Sequence, residues 1–155
     1  MNHGLVIPTT TGNRHTPHSA RFWNRSGAST AVGGVLALDI AAGDAASTTP
    51  ELALTNLIEP ATAQFNTAEY VVCKEVKADD LLVDCFTGDG VLVQVRVNST
   101  TDIAKGDPLK PVNSENHLVK ATSTDPYVAT ALEARTTDDV GLIWVLFYTK
   151  PRTLS

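Results

Sequence analysis

The sequence holds two cysteines, one methionine and 6% aromatic residues, and no acidic residue stands before Asp39. The cysteines, Cys73 and Cys85, are too few for a disulfide scaffold and lack the spacing of a zinc site. Set among Val, Leu and Phe, they read as buried thiols acting as small hydrophobes. No apolar run approaches the roughly 18 residues of a membrane span. The longest, Val91-Leu92-Val93 and Gly141 to Phe147, are strand-sized. The opening Met1-Asn2-His3-Gly4-Leu5-Val6-Ile7-Pro8 lacks a basic n-region and a long h-region, so it does not read as a secretory signal. A soluble protein made inside the cell is the expectation.

What is there suits one domain of 155 residues with a net charge of -5. A nucleic-acid binder would carry a basic excess or a basic face, and this chain is acidic overall. The charge is uneven. Arg14, Arg21 and Arg25 precede every acid, the stretch from Asp39 to Thr149 holds 17 acidic and 7 basic residues, and Lys150 and Arg152 close the chain. Basic ends on an acidic body suggest docking on an acidic partner, where charge complementarity sets orientation and encounter rate. The same pattern also arises by chance in short solvated tails. Arg14, His15, His18, Arg21, Arg25, Lys150 and Arg152 are the candidate contacts for such a partner.

Pro8, Gly12 and Pro17 break any helix near the start, so residues 1–20 read as an extended arm. Residues 41–68 form an irregular Ala/Thr-rich insertion, in which Thr49-Pro50-Glu51 resembles a helix start, so that a short helix or turn is expected near Pro50 to Leu57. Between and beyond lie short strands: Arg21 to Asn24, Gly34 to Asp39, Tyr70 to Val76, Leu81 to Phe86 and Val91 to Val97. Leu109 to Val112, His117 to Ala121, Tyr127 to Ala134 and Leu142 to Tyr148 follow. Val91, Val93, Val95 and Val97 share one strand face, and Gly88-Asp89-Gly90 supplies the positive-φ positions of a hairpin. Turn signals recur roughly every 8 to 12 residues, the spacing of a sandwich or barrel. No amphipathic helix of ordinary length and no repeat of fixed period is visible. The fold class is all-β: a small barrel or sandwich over residues 21–149, with a basic tail at 150–155. Val93, Val95, Leu132, Trp144 and Leu146 are expected in one core, while Trp23 is open.

Chemistry is sparse. His15 and His18 have Pro17 between them, which prevents the helix that would let them share a metal, so no metal site is assigned. No Gly-x-Ser-x-Gly elbow occurs. The glycines at 88 and 90 precede a strand, not the helix a phosphate loop requires. Asp79, Asp80, Asp84 and Asp89 lack calcium-loop spacing and read as a solvated acidic face. No catalytic set and no cofactor site is expected.

One series of motifs has a familiar order. Phe22-Trp23-Asn24-Arg25-Ser26-Gly27-Ala28, then Val32-Gly33-Gly34-Val35-Leu36-Ala37-Leu38-Asp39, resembles the opening of tailed-bacteriophage capsid decoration (cement) proteins. The alternating valines after Gly90, Ile103-Ala104-Lys105-Gly106-Asp107-Pro108-Leu109, Tyr127 to Ala134 and Gly141 to Phe147 are similar to that family's second half. The likeness covers residues 21–40 and 88–147. It implies a small β-barrel or sandwich, often trimeric, on the outside of the capsid, bridging major capsid proteins without catalytic residues or cofactor. The expected partners are thus the major capsid protein and a homotrimer of the chain itself, with no direct nucleic acid and no membrane. The expected location is the virion surface after assembly in the bacterial cytoplasm. The alternative is a phage surface module recognising a glycan or host factor, which would expose aromatics among Trp23, Tyr127, Trp144 and Tyr148.

Overall fold

The computed structural model describes residues 15–39 and 55–153. Ten strands and one 3-10 turn make up its regular structure: β1 His18–Asn24, β2 Val35–Leu38, β3 Asn56–Ile58, the turn Thr62–Gln64, β4 Tyr70–Cys73, β5 Leu82–Thr87, β6 Asp89–Asn98, β7 Pro108–Pro111, β8 Leu118–Lys120, β9 Pro126–Ala131 and β10 Val140–Thr153. The all-β expectation holds. The strands form two closed barrels, ordered β1-β3-β2-β4-β5 and β10-β6-β8-β7-β9. Closure leaves neither barrel with a free sheet edge, so each ladder is satisfied within the chain.

Both barrels share one topology. In each, the first and third strands run parallel, β1 with β3 and β6 with β8, and every other neighbouring pair is antiparallel. The likeness extends to single hydrogen bonds. At the end of β1 the Asn24 side chain accepts from the Ser26 amide and hydroxyl, and at the end of β6 Asn98 accepts from both groups of Thr100. Gly33 and Gly34 exchange backbone bonds of 2.8 Å with Cys73, and Gly106 and Asp107 exchange bonds of 2.7 and 2.9 Å with Ala131. The chain is therefore a tandem of two matching units. Sequence hides it: the equivalent strand residues Tyr70-Val71-Val72 and Val128-Ala129-Thr130 share no identity, and the connecting loops differ in length.

Strands β2 and β4 are buried along their whole length. The period of two sends Leu36, Leu38, Val71 and Cys73 into the first barrel, beside Leu57, Val83 and Cys85. It sends Val35, Ala37, Tyr70 and Val72 outward, into a continuous core with the second barrel's Val91, Val93, Val95, Val97, Ile143, Val145 and Phe147. One strand pair thus serves two cores and fixes one barrel on the other.

Several boundaries differ from the sequence reading. His18, Ser19 and Ala20 belong to β1, paired with Thr87, Phe86 and Cys85, so the first barrel takes in the end of the expected arm. Residues 1–14 lie outside the described residues. Asn56–Ile58 is a strand, not the end of the expected helix or turn, because Leu57 fills the first barrel; residues 50–54 are not described. Lys150 and Arg152 continue β10 and do not form a separate tail. Gly88 makes no hairpin: β5 pairs with β1 and β4, β6 with β10 and β8, and this glycine at φ 132° carries the chain between barrels.

Candidate interaction surface

The outer face of β6 and β10 carries several exposed apolar side chains. Cross-strand register sets Leu146 opposite Leu92, Trp144 opposite Gln94 and Leu142 opposite Arg96. Their neighbours Val93, Val95, Ile143 and Val145 point into the barrel, so these six point out. Leu92, Leu142 and Val32 are exposed, and Trp144 keeps 40% of its surface in water. The expectation that Trp144 belongs to the core is therefore corrected. Val93 and Val95 are in the core, while Leu132 and Leu146 are half-buried. In the apolar run from Gly141 to Phe147 nothing marks which parity faces inward, and pairing with β6 decides it.

The loop before β2 completes this face. Gly33, at φ 77°, accepts a 2.8 Å hydrogen bond from the Arg96 amide, bringing the loop down on β6. A Cβ there would lie 2.4 Å from Leu142 Cδ2, so glycine is needed for both backbone shape and close approach. Where the loop meets the barrels there is a cleft of about 180 Å³, lined by Pro17, Val32, Phe86, Leu92 and Trp144 with Lys74 at its side. The Lys74 ammonium sits 4.8 Å from the Phe86 ring centre and 3.0 Å from Ser19 Oγ.

A smaller apolar patch lies on the first barrel. Trp23, 37% exposed, pairs with Leu82, and Leu81 is exposed beside them. The Arg25 guanidinium lies 5.4 Å from the Trp23 ring centre and is bound to Asp80. Tyr148 is buried and meets the half-buried Tyr127 edge to face at 6.0 Å.

Four of the candidate basic contacts are paired with acids. Arg21 Nε is 2.9 Å from Asp84, Arg25 binds Asp80, Lys150 is 3.8 Å from Glu69 and Arg152 is 3.2 Å from Asp89. The hydrogen bond from Arg21 holds the Asp84 carboxyl below its usual range. Each of these four bases is met by an acid of the body, so the unlike charges along the sequence are neutralised in pairs. Exposed pairs of this kind stabilise by about 0–1 kcal/mol each. His15 Nδ1 stands 2.8 Å from the Gly90 carbonyl and donates to it, and His18 is exposed at the start of β1. Arg14 lies outside the described residues. Among the described residues no three His, Cys, Asp or Glu side chains gather as a metal site would require.

The fold has a solved counterpart. The N base of the head fiber gp8.5 of bacteriophage phi29 is similar to this chain with a TM-score of 0.55, covering 88% of this chain and 98% of that one. Identity is 14%, so the likeness is one of fold. Because it covers 88% of this chain, it takes in residues of both barrels and not of one alone. No protein-family model and no curated protein matches the sequence.

Sequence reasoning singled out the charged ends and missed the β6–β10 face. Leu92 and Leu142 were legible as strand residues, and only the register shows that they share the solvent side with Trp144.

Proposed function

We propose that this chain is a non-catalytic structural protein of a phage particle, fixed to the outer surface of the head shell and bridging neighbouring major capsid proteins. The observation that carries the reading is the likeness, along 88% of the chain, to the base of a phage head fiber. The resemblance of Phe22 to Asp39 and of Gly90 to Phe147 to capsid decoration proteins points the same way. The apolar face of Leu92, Leu142 and Trp144 supplies a surface on which a capsid subunit would bury area. A protein that binds only the assembled shell stabilises the shell by mass action. Several weak contacts made together multiply through effective concentration.

Self-association as a homotrimer is part of the proposal. With both barrels closed, it would use faces and not strand addition. A second reading, a surface module for a glycan or host factor, draws on the two part-exposed tryptophans. The neighbours of Trp144 on its face are mainly aliphatic, which favours a protein partner. The test is co-sedimentation of the purified chain with capsids lacking it. Trp144→Ala with Leu142→Ala should leave the fold intact and weaken attachment by tenfold or more. Undiminished attachment of a folded double variant would remove the β6–β10 face from the account.

A further inference from the structure

Cys73 and Cys85 are direct cross-strand partners between β4 and β5, with sulfurs 3.9 Å apart inside the first barrel. Both Cys73 backbone groups bond toward β2, its amide to Gly34 and its carbonyl from Gly33, each at 2.8 Å. Toward β5 it is therefore a non-hydrogen-bonded pair member, the antiparallel position where Cα atoms approach to about 4.5 Å. That separation falls inside the range a disulfide spans, about 4.4–6.8 Å. The matching slot of the second barrel is filled by Ala131 opposite Val145, both fully buried. Packing in this fold does not call for sulfur there, since an alanine and a valine fill the equivalent place.

We propose that Cys73 and Cys85 form a site of reversible oxidation, closing an internal disulfide that staples β4 to β5 when the chain meets an oxidising medium. With a small-molecule disulfide as oxidant, one cysteine thiolate attacks it, giving a mixed disulfide and releasing one thiol. The second cysteine then displaces the other half as a second thiol. The protein loses two hydrogens, and the oxidant is reduced to two thiols.

In the folded chain the pair is protected. Both sulfurs are buried, and the contact with Cys73 together with burial pushes the Cys85 thiol well above its ordinary range. Exchange therefore waits on opening of the barrel or takes place during folding. Once formed, the bond restrains the unfolded chain across 12 positions of sequence. If the virion reading also holds, the staple would close on particles leaving a reducing cytoplasm; the chemistry itself does not depend on that reading.

The test refolds the full chain from denaturant in oxidised glutathione or in dithiothreitol, beside the double variant Cys73→Ala/Cys85→Val, which copies the second barrel. The wild type refolded in oxidised glutathione should lose both free thiols and about 2 Da. It should melt on the order of 5–10 °C above its reduced form, and dithiothreitol should reverse the gain. The double variant should fold and melt alike in both buffers. Two free thiols retained, glutathione adducts or linked dimers as the main product, or an oxidised form melting no higher than the reduced one would each overturn the proposal.

Discussion

Replacing Gly33 by alanine separates two costs that the loop over β6 imposes. The first is backbone conformation: at φ 77° an L side chain meets its own carbonyl, costing about 1–2 kcal/mol. The second is space. The new Cβ lies 2.4 Å from Leu142 Cδ2 and 3.3 Å from both the Arg96 amide nitrogen and the Gln94 carbonyl oxygen. The backbone atoms cannot retreat without losing the Arg96 to Gly33 hydrogen bond, so the Leu142 side chain must turn away. Leaving its preferred rotamer costs about 0.5–1.5 kcal/mol. Gly33→Ala should therefore destabilise by about 2–3 kcal/mol in urea unfolding, against a reserve of about 5–15 kcal/mol. Gly27 provides the control, with φ 82° and nothing within 4 Å of its Cβ, so Gly27→Ala should cost only the backbone share. In a Leu142→Ala background the cost of Gly33→Ala should fall to that of Gly27→Ala, a coupling near 1 kcal/mol. Equal costs for the two glycines, or a Gly33 cost unchanged without the leucine, would refute the packing described for this face.

Asp125 accepts from the Thr122 hydroxyl at 2.6 Å and amide at 2.8 Å, and binds Lys110 at 3.0 Å; these hydrogen bonds, the Thr122 hydroxyl first, pull its carboxyl down to about 2. A folded value below the unfolded one contributes stability above pH 4, lost as pH falls from about 4 to about 2. The wild type should thus exceed Asp125→Asn in urea melts at pH 6, with the advantage shrinking steadily toward pH 2, and a pH-independent difference would contradict the assignment. Phe147→Ala empties the shared core and should cost about 3–5 kcal/mol, whereas Trp144→Ala three residues away should cost about 1 kcal/mol. Thermal melts showing the reverse order would mean that the register of β10 is shifted.

Nine of the ten strands are legible in the sequence, because β-branched runs such as Tyr70-Val71-Val72 and Val91 to Val97 stand between turn residues. The strand β3 escapes notice because Asn56-Leu57-Ile58 holds a single fully buried residue. The division into two barrels is hidden for a related reason. Alternation in Val35-Leu36-Ala37-Leu38 looks uniform when both faces are buried, and only long-range pairing reveals that the faces serve different cores. Charge suffers most from reading along the chain. Arg21 and Asp84 are 63 positions apart and Arg25 and Asp80 are 55 apart, so bases that seem unopposed at the N-terminal end have acids beside them in the fold. Trp144 lies in an apolar run of sequence, and its exposure follows from the side of the strand it occupies.

The central proposal is that this protein sits on the outside of a phage head. Electron cryomicroscopy of heads assembled with and without the chain tests it most directly. The account predicts added density on the outer shell surface, fitted by the paired barrels, spanning at least two major capsid subunits and repeated about a threefold or quasi-threefold axis. Particles with identical outer surfaces whether or not the chain is present would contradict it.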